Sequence, residues 1–398
     1  MNITGIVVEY NPMHNGHLHH LELCRGATGP DGIVAVMSGN FVQRGTPALL
    51  DKWTRTKHAL ENGVDLVLEL PVLYALSSAE FFASGAVGIL EGLGNVRSLC
   101  FGSEYTEMDK MLEISDFLLR EPQEYRDALK KHLGSGVDFP TARSLSLKDT
   151  LRDPAGYLEA SNCILGIEYC KSLLRLKSSV MPVAVQRSGS IYRDSSLSPG
   201  FSSATSIREH LRNNREIDEL KPQVPKNVFL TLKELKLQSH SFAESNAMLP
   251  YLKYRCLTGA SALKTLPDVV EGLENRIFSS TVSAESFDQL IDSVKTKRYA
   301  YTRISRIMTQ FFIGFDQFDT AAMRKEAPQY IRVLGFTKRG AEILREAKRS
   351  STLPIISKVR EKEFKALDLE LQATRAYSLI NPDIRHNEDF FRSPIIMV

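Results

Sequence analysis

The chain has 398 residues, of which 43% are hydrophobic and 24% are charged. This length is enough for about two or three domains, and the composition excludes a disordered chain, a collagen-like fibre and a disulfide-stapled miniprotein. The 50 basic and 47 acidic side chains give a formal net charge of +3. Overall charge therefore predicts no partner, and any basic surface must be local.

The sequence predicts a cytoplasmic protein with no membrane segment. No apolar run approaches the roughly 20 residues of a membrane-spanning helix, and residues 1–5 lack the pattern of a signal peptide. The cysteines are odd in number, scattered and never arranged as CxxC, so we expect neither a disulfide nor a zinc site. They are Cys24, Cys100, Cys163, Cys170 and Cys256.

Five short apolar runs in the first 210 residues predict the buried strands of a parallel sheet. They span residues 3–8, 33–37, 64–70, 98–102 and 182–186. Helical patterns lie between them, and residues 106–160 are predicted to form a helical insertion. Alternating strands and helices predict an α/β, Rossmann-like domain.

Beyond about residue 215 the strand pattern disappears and apolar residues recur at helical spacing. One such stripe consists of Ala300, Ile304, Ile307, Met308 and Phe311. A further helix is predicted over residues 340–349, with at most a small mixed tail after Pro354. We therefore expect an α/β domain over residues 1–215 and a mainly α-helical domain over residues 216–398.

Residues 7–20 are the most informative stretch of the chain. An Asn-Pro step predicts a turn after the first strand, and Gly16 lets a ligand approach the backbone. The helix N-terminus that follows attracts phosphate, and His14 and His17 can donate hydrogen bonds to phosphate oxygens. This HxGH turn predicts a clamp for the charge on a leaving pyrophosphate. A metal site is the weaker alternative, because no acidic or cysteine partner stands at ligand spacing.

A second anion-binding element is predicted in SSATSIR, residues 202–208. Hydroxyl groups followed by Arg208 at a helix start can hold a phosphate. The alternative is an N-cap, because a Ser or Thr ahead of Glu209 would cap a helix without any ligand.

The HxGH turn and the Ser-x-x-Ser-Ile-Arg segment together resemble the HIGH-type nucleotidyltransferase superfamily, and within it the bacterial tRNA(Met) cytidine acetate ligases. The resemblance covers residues 1 to about 340. It is carried by GIVVEYNPMHNGHLHHL (5–21), SGNFVQRG (38–45), DKWTRTK (51–57), FGSE (101–104), SNCILGIEY (161–169), QRSGSIY (186–192), SSATSIR (202–208), EGLENRI (271–277) and KTKRYAYTRISRI (295–307).

This resemblance implies an ATP-dependent ligase, with an ATP-binding catalytic domain over residues 1–215 and a tRNA-binding domain over residues 216–398. Acetate would attack the α-phosphate of ATP to give acetyl-adenylate and pyrophosphate. N4 of the wobble cytidine of elongator tRNA(Met) would then take the acetyl group and release AMP. We expect Mg²⁺ to be held mainly by the ATP phosphates, and we expect no obligate protein partner.

The resemblance also implies the site residues. His14, His17 and Arg208 would be catalytic, because they would stabilise charge on the α-phosphate and on the leaving pyrophosphate. The synthetase-type paired lysines are absent from the second motif, so Arg208 would supply much of that charge. The residues implied to bind ATP are Val7, Val8, Glu9, Tyr10, Asn11, Pro12, Met13, His14, Asn15, Gly16, His17, Leu18, His19, His20, Gly102, Asn162, Arg187 and Ser206.

The outlying ATP residues suit the role on physical grounds. Gly102 offers bare backbone at a strand end, where an α/β crevice opens. Asn162 can donate to and accept from an adenine edge or a ribose, and Arg187 can pair with phosphate. A plain turn glycine and a helix cap are the alternatives for the first two.

Arg44 is the candidate for contacting acetate or a phosphate, because it lies in a polar loop after the second predicted strand. Lys52, Arg55 and Lys57 follow it, and for these three a solvated helix face is at least as well supported.

The tRNA-binding residues are expected between residues 293 and 315, a stretch without acidic side chains. Basic groups can neutralise phosphates while the interleaved Tyr299 and Tyr301 stack on unpaired bases. The basic residues are Lys295, Lys297, Arg298, Arg303 and Arg306. A solvated face is the alternative.

Two other functions stay open from the residues alone. An adenylyltransferase that builds a nucleotide cofactor would use the same first domain, but it does not explain the long basic, aromatic-bearing helical half. A non-catalytic tRNA-binding protein would retain tRNA without consuming ATP. The intact pair of His14 and His17, together with Arg208, argues against a non-catalytic protein.

Overall fold

The protein is described from a computed structural model. The structure describes residues 1–151, 156–187, 201–213, 215–238, 240, 242–270 and 272–397. Residues 188–192 of QRSGSIY and the first residue of EGLENRI lie outside the described residues.

A mostly parallel sheet of eight strands forms the centre of the molecule. Two further strands lie outside this sheet, so that the described residues contain ten strands in all. They are β1 (Ile3–Val8), β2 (Gly32–Ser38), β3 (Phe41–Val42), β4 (Thr46–Pro47), β5 (Leu66–Leu70), β6 (Ser98–Ser103), β7 (Met181–Gln186), β8 (Ile331–Thr337), β9 (Ile355–Ile356) and β10 (Ile395–Met397). The sheet order is β10-β8-β5-β2-β1-β6-β7, with β9 paired to β8, while β3 and β4 form a separate hairpin.

Helices cover both faces of the sheet and make up most of the segment between residues 204 and 323. They are α1 (Asn15–Thr28), α2 (Lys52–Glu61), α3 (Val72–Ala75), α4 (Ala79–Leu93), α5 (Met108–Arg120), α6 (Gln123–Gly134), α7 (Phe139–Leu151), α8 (Ser161–Leu176), α9 (Ala204–Arg212), α10 (Lys226–Leu237), α11 (Leu249–Gly259), α12 (Leu273–Ser283), α13 (Phe287–Val294), α14 (Tyr301–Ile313), α15 (Thr320–Met323), α16 (Lys338–Ser350), α17 (Lys365–Ser378) and α18 (Glu388–Phe391). Four short 3-10 helices lie at Ile217–Leu220, Ser245–Met248, Ala260–Thr265 and Phe315–Gln317.

The strands expected from the apolar runs are β1, β2, β5, β6 and β7. They pair in parallel, β2 with β1 and β5, and β6 with β1 and β7. Every residue of β2 and β5 is buried, as expected of strands covered by helices on both faces. The predicted α/β class is confirmed, and α5, α6 and α7 form the expected helical insertion.

The expectation that strands end near residue 215 is wrong. The late strand β8 lies antiparallel beside β5, and β9 and β10 pair with β8. Arg332 interrupts the apolar pattern of β8, so the sequence alone does not indicate a buried strand. In the structure its guanidinium is buried against Glu69 at 2.8 Å and Asp389 at 2.7 Å. Distant carboxylates thus permit an arginine in a core strand, and the C-terminal part returns to the first domain's sheet.

Lys52 is also buried, so a solvated helix face is the wrong description for it. Its ammonium group lies 2.7 Å from Glu69, 2.8 Å from Asp389 and 3.5 Å from Glu370. Burial of a charge requires such partners. By contrast, the Lys57 side chain on the same helix is 61% exposed.

The expectation of no disulfide is also overturned. Cys24 of α1 and Cys100 of β6 are joined by a disulfide, with their Cα atoms 5.9 Å apart. These residues are 76 positions apart in the sequence, so only the packing of α1 on β6 brings them together. Cys163, Cys170 and Cys256 are buried free thiols.

Across the described ranges, no helix combines the length and the apolar character that crossing a bilayer would require.

Candidate active site

A cavity of about 220 Å³ opens where the carboxyl ends of β1, β6 and β7 meet the N-terminal ends of α1 and α9. Ligands of open α/β sheets bind at this edge. The expected site residues that line it are Val7, Val8, Glu9, Tyr10, Asn11, His14, Gly16, His17, His19, His20, Arg44, Gly102, Asn162, Arg187 and Arg208. The expected residues that do not line it are Pro12, Met13, Asn15, Leu18 and Ser206.

The two motif histidines are held face to face at the start of α1. His14 is the N-cap residue, and its backbone N–H donates to Nδ1 of His17 at 3.1 Å. The two rings stack with centroids 3.7 Å apart. Because Nδ1 of His17 accepts this hydrogen bond, the neutral ring carries its proton on Nε2. His17 is therefore fixed as a hydrogen-bond donor through Nε2.

Both imidazoles are neutral. Burial, with the nearby Arg187 and Arg208, lowers the pKa of His14 to about 3. Burial and the neighbouring His14 also lower the pKa of His17 well below its usual value. Nδ1 of His14 is buried without a hydrogen-bond partner in the described part of the chain. The pair therefore offers polar N–H groups, rather than fixed positive charge, to a ligand at the helix N-terminus.

Arg208 joins the two motifs that the sequence shows far apart. Its Nη1 donates to the carbonyl of Asn11 at 2.6 Å, and its Nη2 donates to Oγ1 of Thr205 at 3.2 Å. The side chain of Asn11 in turn accepts the N–H of Leu49 at 2.7 Å. The guanidinium group thus ties α9 to the turn after β1 and lines the same cavity as the histidines.

Two serines of the second motif form the N-terminal cap of α9. Ser203 caps α9, because its Oγ accepts the N–H of Ser206 at 3.1 Å. The hydroxyl of Ser206 donates to the carbonyl of Ser203 at 2.8 Å. Ser206 is buried in this cap, so its expected contact with ATP is not supported by its position. The N-cap alternative holds for this pair, while Thr205 and Arg208 face the cavity.

Asn162 is oriented by groups on both sides. Its Oδ1 accepts from Nη1 of Arg187 at 2.7 Å, and its Nδ2 donates to Glu104 at 2.6 Å. The second oxygen of Glu104 accepts the N–H of Cys163 at 3.0 Å. Glu104 is a residue that the sequence analysis did not single out. Its place directly after a predicted strand, in FGSE, was the available signal.

Gly102 lies where a side chain would enter the cavity. A Cβ built on it would meet His20 at 3.5 Å and Arg187 at 4.0 Å, which are ordinary contacts. Packing within the protein therefore does not demand a glycine here. The space is left for a ligand to pass close to the backbone.

Glu9 is the carboxylate on the cavity wall within the described ranges. Its Oε1 accepts the N–H of Gln43 at 2.8 Å. Burial raises the pKa of Glu9, and the Gln43 amide with Arg208, Arg44 and Arg55 opposes that rise.

Arg55 is buried and serves the backbone around the site rather than the ligand. It donates to the carbonyls of Glu9 at 2.7 Å, Leu50 at 2.9 Å and Ser38 at 3.1 Å, and also to Gly39. One guanidinium thus fixes the turn after β1 to the loop after β2. This role contradicts the solvated-face interpretation of Arg55.

An aromatic and aliphatic wall completes the cavity. It was not predicted because its members lie on elements that are far apart in the sequence, namely α4, β6, α8 and the residue range before α9. They are Phe82, Phe101, Leu165, Tyr169 and Phe201. Phe201 stacks on the ring of His19 with centroids 5.2 Å apart.

The five basic residues expected to bind tRNA do not share one open surface. Lys297 and Arg298 are exposed, as is Lys295, which pairs with Asp292 at 2.6 Å. Arg303 and Arg306 instead point into contacts with the protein.

The inward pair holds α14 in place. Arg303 donates to the carbonyl of Asp268 at 2.9 Å and lies 5.1 Å from the ring of Tyr299. Arg306 reaches the carbonyl of Gln43 at 3.5 Å, and burial lowers the pKa of its guanidinium. The prediction of five RNA contacts therefore reduces to three exposed candidates.

His20, Cys24 and Cys100 bring three donor atoms within 4.8 Å of one another. The two sulfurs are bonded to each other. This arrangement does not test the expectation that the protein holds no metal, which stays a prediction.

Comparison with known proteins agrees with this geometry. The family model described as HIGH Nucleotidyl Transferase matches residues 1–390. The fold and the site therefore define a HIGH-type nucleotidyltransferase.

Relatives of full length narrow the assignment. A protein of Clostridium kluyveri named tRNA(Met) cytidine acetate ligase is 49% identical over 405 residues, which cover 100% of this chain and 99% of the relative. A protein of the same name from Clostridium botulinum strain Okra is 47% identical, with the same coverage. The chain belongs to the tRNA(Met) cytidine acetate ligase family, as predicted.

Solved structures match over the whole chain. The apo crystal structure of Thermotoga maritima TmcAL superimposes with a TM-score of 0.91 at 33% identity, covering 100% of both chains. A second structure of that protein, bound with alpha-thio ATP, gives a TM-score of 0.87 at 33% identity with the same coverage.

Proposed function

We propose that the protein is an ATP-dependent ligase that activates acetate and acetylates N4 of the wobble cytidine, position 34, of elongator tRNA(Met). The products besides N4-acetylcytidine are AMP and pyrophosphate. One observation carries the proposal: the HxGH turn and Arg208 converge on a single cavity in a chain that matches the named relatives along its full length.

The ATP phosphates are assigned to the N-terminal end of α1. The dipole at the N-terminus of a helix favours an anion, and Nε2 of His17 adds a fixed donor. Arg208 and Arg187 supply positive charge on the cavity wall. Groups that are already oriented before the reaction can stabilise charge that develops on the α-phosphate and on the leaving pyrophosphate.

The chemistry is written as two displacements. An acetate oxygen attacks the α-phosphorus, and the bond to the bridging oxygen breaks with release of pyrophosphate. The N4 lone pair then attacks the acetyl carbon, AMP leaves with the bonding electrons, and N4 loses a proton. Neither step requires a protein nucleophile. Arg44, on the cavity wall, is the candidate for holding the acetate carboxylate or a phosphate.

Mg²⁺ fits this site as a companion of ATP rather than as a resident ion. The described cavity wall offers one carboxylate, Glu9, and one of its oxygens already accepts the Gln43 amide. Such a donor set suits an ion held mainly by phosphates, and when bound it would neutralise part of their charge.

The acceptor RNA is assigned to the exposed basic residues before α14. Lys297 and Arg298 have side chains accessible to solvent, and basic groups of this kind neutralise nucleic-acid phosphates.

The test incubates the protein with labelled acetate, ATP and elongator tRNA(Met), followed by nuclease digestion of the RNA. We expect labelled N4-acetylcytidine at position 34 and one AMP per acetyl group. The control is the same tRNA with uridine at position 34, which lacks the acceptor amine. Adenylyl transfer to pantetheine phosphate or nicotinamide mononucleotide would favour a cofactor adenylyltransferase instead. Retention of tRNA without ATP consumption would favour a binding protein.

A further inference from the structure

Cys24 on α1 and Cys100 on β6 meet behind the wall of the nucleotide cavity. Their Cα atoms lie 5.9 Å apart, in the usual range for a disulfide. Both side chains are fully buried. Nε2 of His20, one helical turn before Cys24, lies 3.4 Å from its sulfur.

His20 connects this pair to the cavity. Its side chain lines the nucleotide space, together with Gly102 of the same strand as Cys100. A Cβ on Gly102 would lie 3.5 Å from Cδ2 of His20. One side chain therefore separates the sulfurs from the space assigned to ATP.

The neighbouring imidazole gives Cys24 a hydrogen-bond acceptor. Burial, with Arg187 and His19, lowers the pKa of His20 to about 4, so the ring is neutral near pH 7. A neutral Nε2 at 3.4 Å from the sulfur can accept the S–H hydrogen bond and orient the thiol, and the thiolate is the form that reacts with oxidants.

The other three cysteines lie in different surroundings. Burial raises the pKa of Cys163 and that of Cys170 to about 12. It also raises the pKa of Cys256. Their nearby polar groups include hydroxyls, those of Ser103, Ser115 and Thr281. They serve as internal controls, because buried thiols of raised pKa are slow to oxidise.

We propose that Cys24, Cys100 and His20 form a redox-reactive thiol site that is reached through the nucleotide cavity, so that bound ATP shields it from small oxidants such as hydrogen peroxide. Disulfides are rare in reducing compartments, and those that form there are commonly catalytic or redox-sensing. The inference rests on ATP binding in this cavity, as in the proposed function, but it does not depend on acetate or on the acceptor RNA.

The oxidation balances as follows. The Cys24 sulfur attacks one peroxide oxygen, the O–O bond breaks, and the departing hydroxide takes up the proton of the thiol, so that a sulfenic acid and one water result. The Cys100 thiol then attacks the Cys24 sulfur, the disulfide forms, and a second water leaves. The two thiols lose two electrons and two protons to one peroxide. Thiol–disulfide exchange with an external thiol reverses the change.

The bond would join two elements that both carry nucleotide-site residues. Helix α1 carries His14 and His17 at its start, and β6 ends at Gly102 and Ser103. Nucleotide binding in the cavity and the oxidation state of Cys24 and Cys100 are thereby linked, because both involve α1 and β6.

The test starts from protein that has been fully reduced and freed of reductant without air. Limiting peroxide is added with and without saturating ATP, and acetate is omitted so that ATP is not consumed. Thiols are counted after unfolding, and the linked peptides are mapped. We expect the count to fall from five to the three of Cys163, Cys170 and Cys256. We also expect ATP to slow the loss by about tenfold or more, because thiol reactivity depends on access.

Variants make the assignment specific. Cys24→Ser should keep all four remaining thiols under the same treatment. Cys100→Ala should lose only the Cys24 thiol, as its sulfenic acid, and give no linked peptides, whereas Cys163→Ser should still lose two. His20→Gln should slow the loss by roughly fivefold or more, because the thiol then lacks the ring nitrogen that orients it.

Three results would overturn the proposal. One is survival of all five thiols or oxidation of a different pair. Another is an oxidation rate that ATP leaves unchanged while direct binding measurements show the cavity filled. The third is a loss of thiol signal that a chelator reverses and a reductant does not, which would indicate a bound metal. Failure to bind ATP at all would contradict the proposed function as well, and the binding measurement distinguishes that case.

Discussion

The nucleotide end of the molecule and the basic segment around α14 differ in how their charged groups are used. At the nucleotide end, His14, His17 and Arg208 converge on one cavity. Around α14, Arg303 and Arg306 turn inward to backbone carbonyls of the protein. Similar residue types therefore line a cavity in one region and hold a helix against the protein in the other.

The two regions are also physically joined. The hydroxyls of Ser305 and Thr309 on α14 both donate to the carbonyl of Gly45 at 2.7 Å. Gly45 follows Arg44 in the hairpin of β3 and β4. The helix expected to face RNA thus forms the support for the loop expected to contact acetate or phosphate.

The largest effect of a single substitution on catalysis is expected at His17, on the nucleotide end. His17→Ala removes a donor aimed at developing phosphate charge, and we expect adenylate formation to fall at least about tenfold, towards the hundredfold typical of such donors. Binding of tRNA should be roughly kept. Acetate-dependent exchange of pyrophosphate into ATP measures the first, and filter binding measures the second. His132→Ala, at a histidine paired with Asp149 on the helical insertion, is the control. An unchanged exchange rate would remove His17 from the mechanism.

Gly45→Ala tests the support under the hairpin. The glycine has φ of +78°, and a Cβ there would lie 2.3 Å from the backbone nitrogen of Arg306. We expect a loss of about 2–4 kcal/mol in the free energy of unfolding, measured by urea denaturation. Gly26→Ala is the matched control, because nothing lies within 4 Å of its added Cβ, and it should stabilise the helix by about 0.5–1 kcal/mol. Equal effects at both positions would contradict the close approach.

Arg187→Ala should act on ATP binding. The variant loses a charged group on the cavity wall and frees Asn162, and hydrogen bonds to charged groups contribute about 1.5–3 kcal/mol. We expect the KM for ATP to rise roughly 10- to 100-fold. Arg175→Ala is the control, because this arginine pairs with Glu80 at 3.0 Å on an exposed surface. A change in kcat alone would place Arg187 outside ATP binding.

The buried histidines predict how stability depends on pH. In the folded protein the pKa is about 3 for His14 and about 4 for His20 and His58, below the value of about 6.5 in an unfolded chain. Their contribution is therefore complete above about pH 6.5 and declines as the pH falls towards 4. The slope is about 1.4 kcal/mol per pH unit for each group. Urea denaturation at several pH values measures it, and His58→Gln should reduce the slope by one group's share. A flat profile below pH 6.5 would contradict the neutral imidazoles.

The exposed part of the basic segment should give the smallest effect. Replacing Lys297 and Arg298 by alanine together should weaken tRNA binding severalfold, with adenylate formation intact. The slope of the logarithm of the binding constant against the logarithm of the salt concentration should become shallower by about one to two. The matched control replaces Lys130 and Lys131, two exposed lysines of the helical insertion. An unaltered salt slope would place the RNA elsewhere.

The sequence predicted the nucleotide end well because its determinants are local. The HxGH turn sets the helix N-terminus and both histidines within a few residues of β1, and the strands are continuous apolar runs. The longer-range contacts of this stretch, from Arg208 and Arg55 to its backbone carbonyls, hold a turn that the local motif already predicts.

The remaining features depend on long-range packing. Arg332 could stand in a core strand only because Glu69 and Asp389 reach it from elsewhere in the chain. Arg306 points inward to the hairpin that α14 supports, and Arg303 points inward to the carbonyl of Asp268. The Cys24–Cys100 bond joins residues on two elements whose contact no spacing encodes.

Activation of acetate with ATP in the cavity at α1 is tested by exchange of labelled pyrophosphate into ATP, measured without and then with elongator tRNA(Met). We predict exchange that requires acetate and that His17→Ala reduces. Exchange that is independent of acetate, or no exchange under either condition while ATP is bound, would contradict the proposed function.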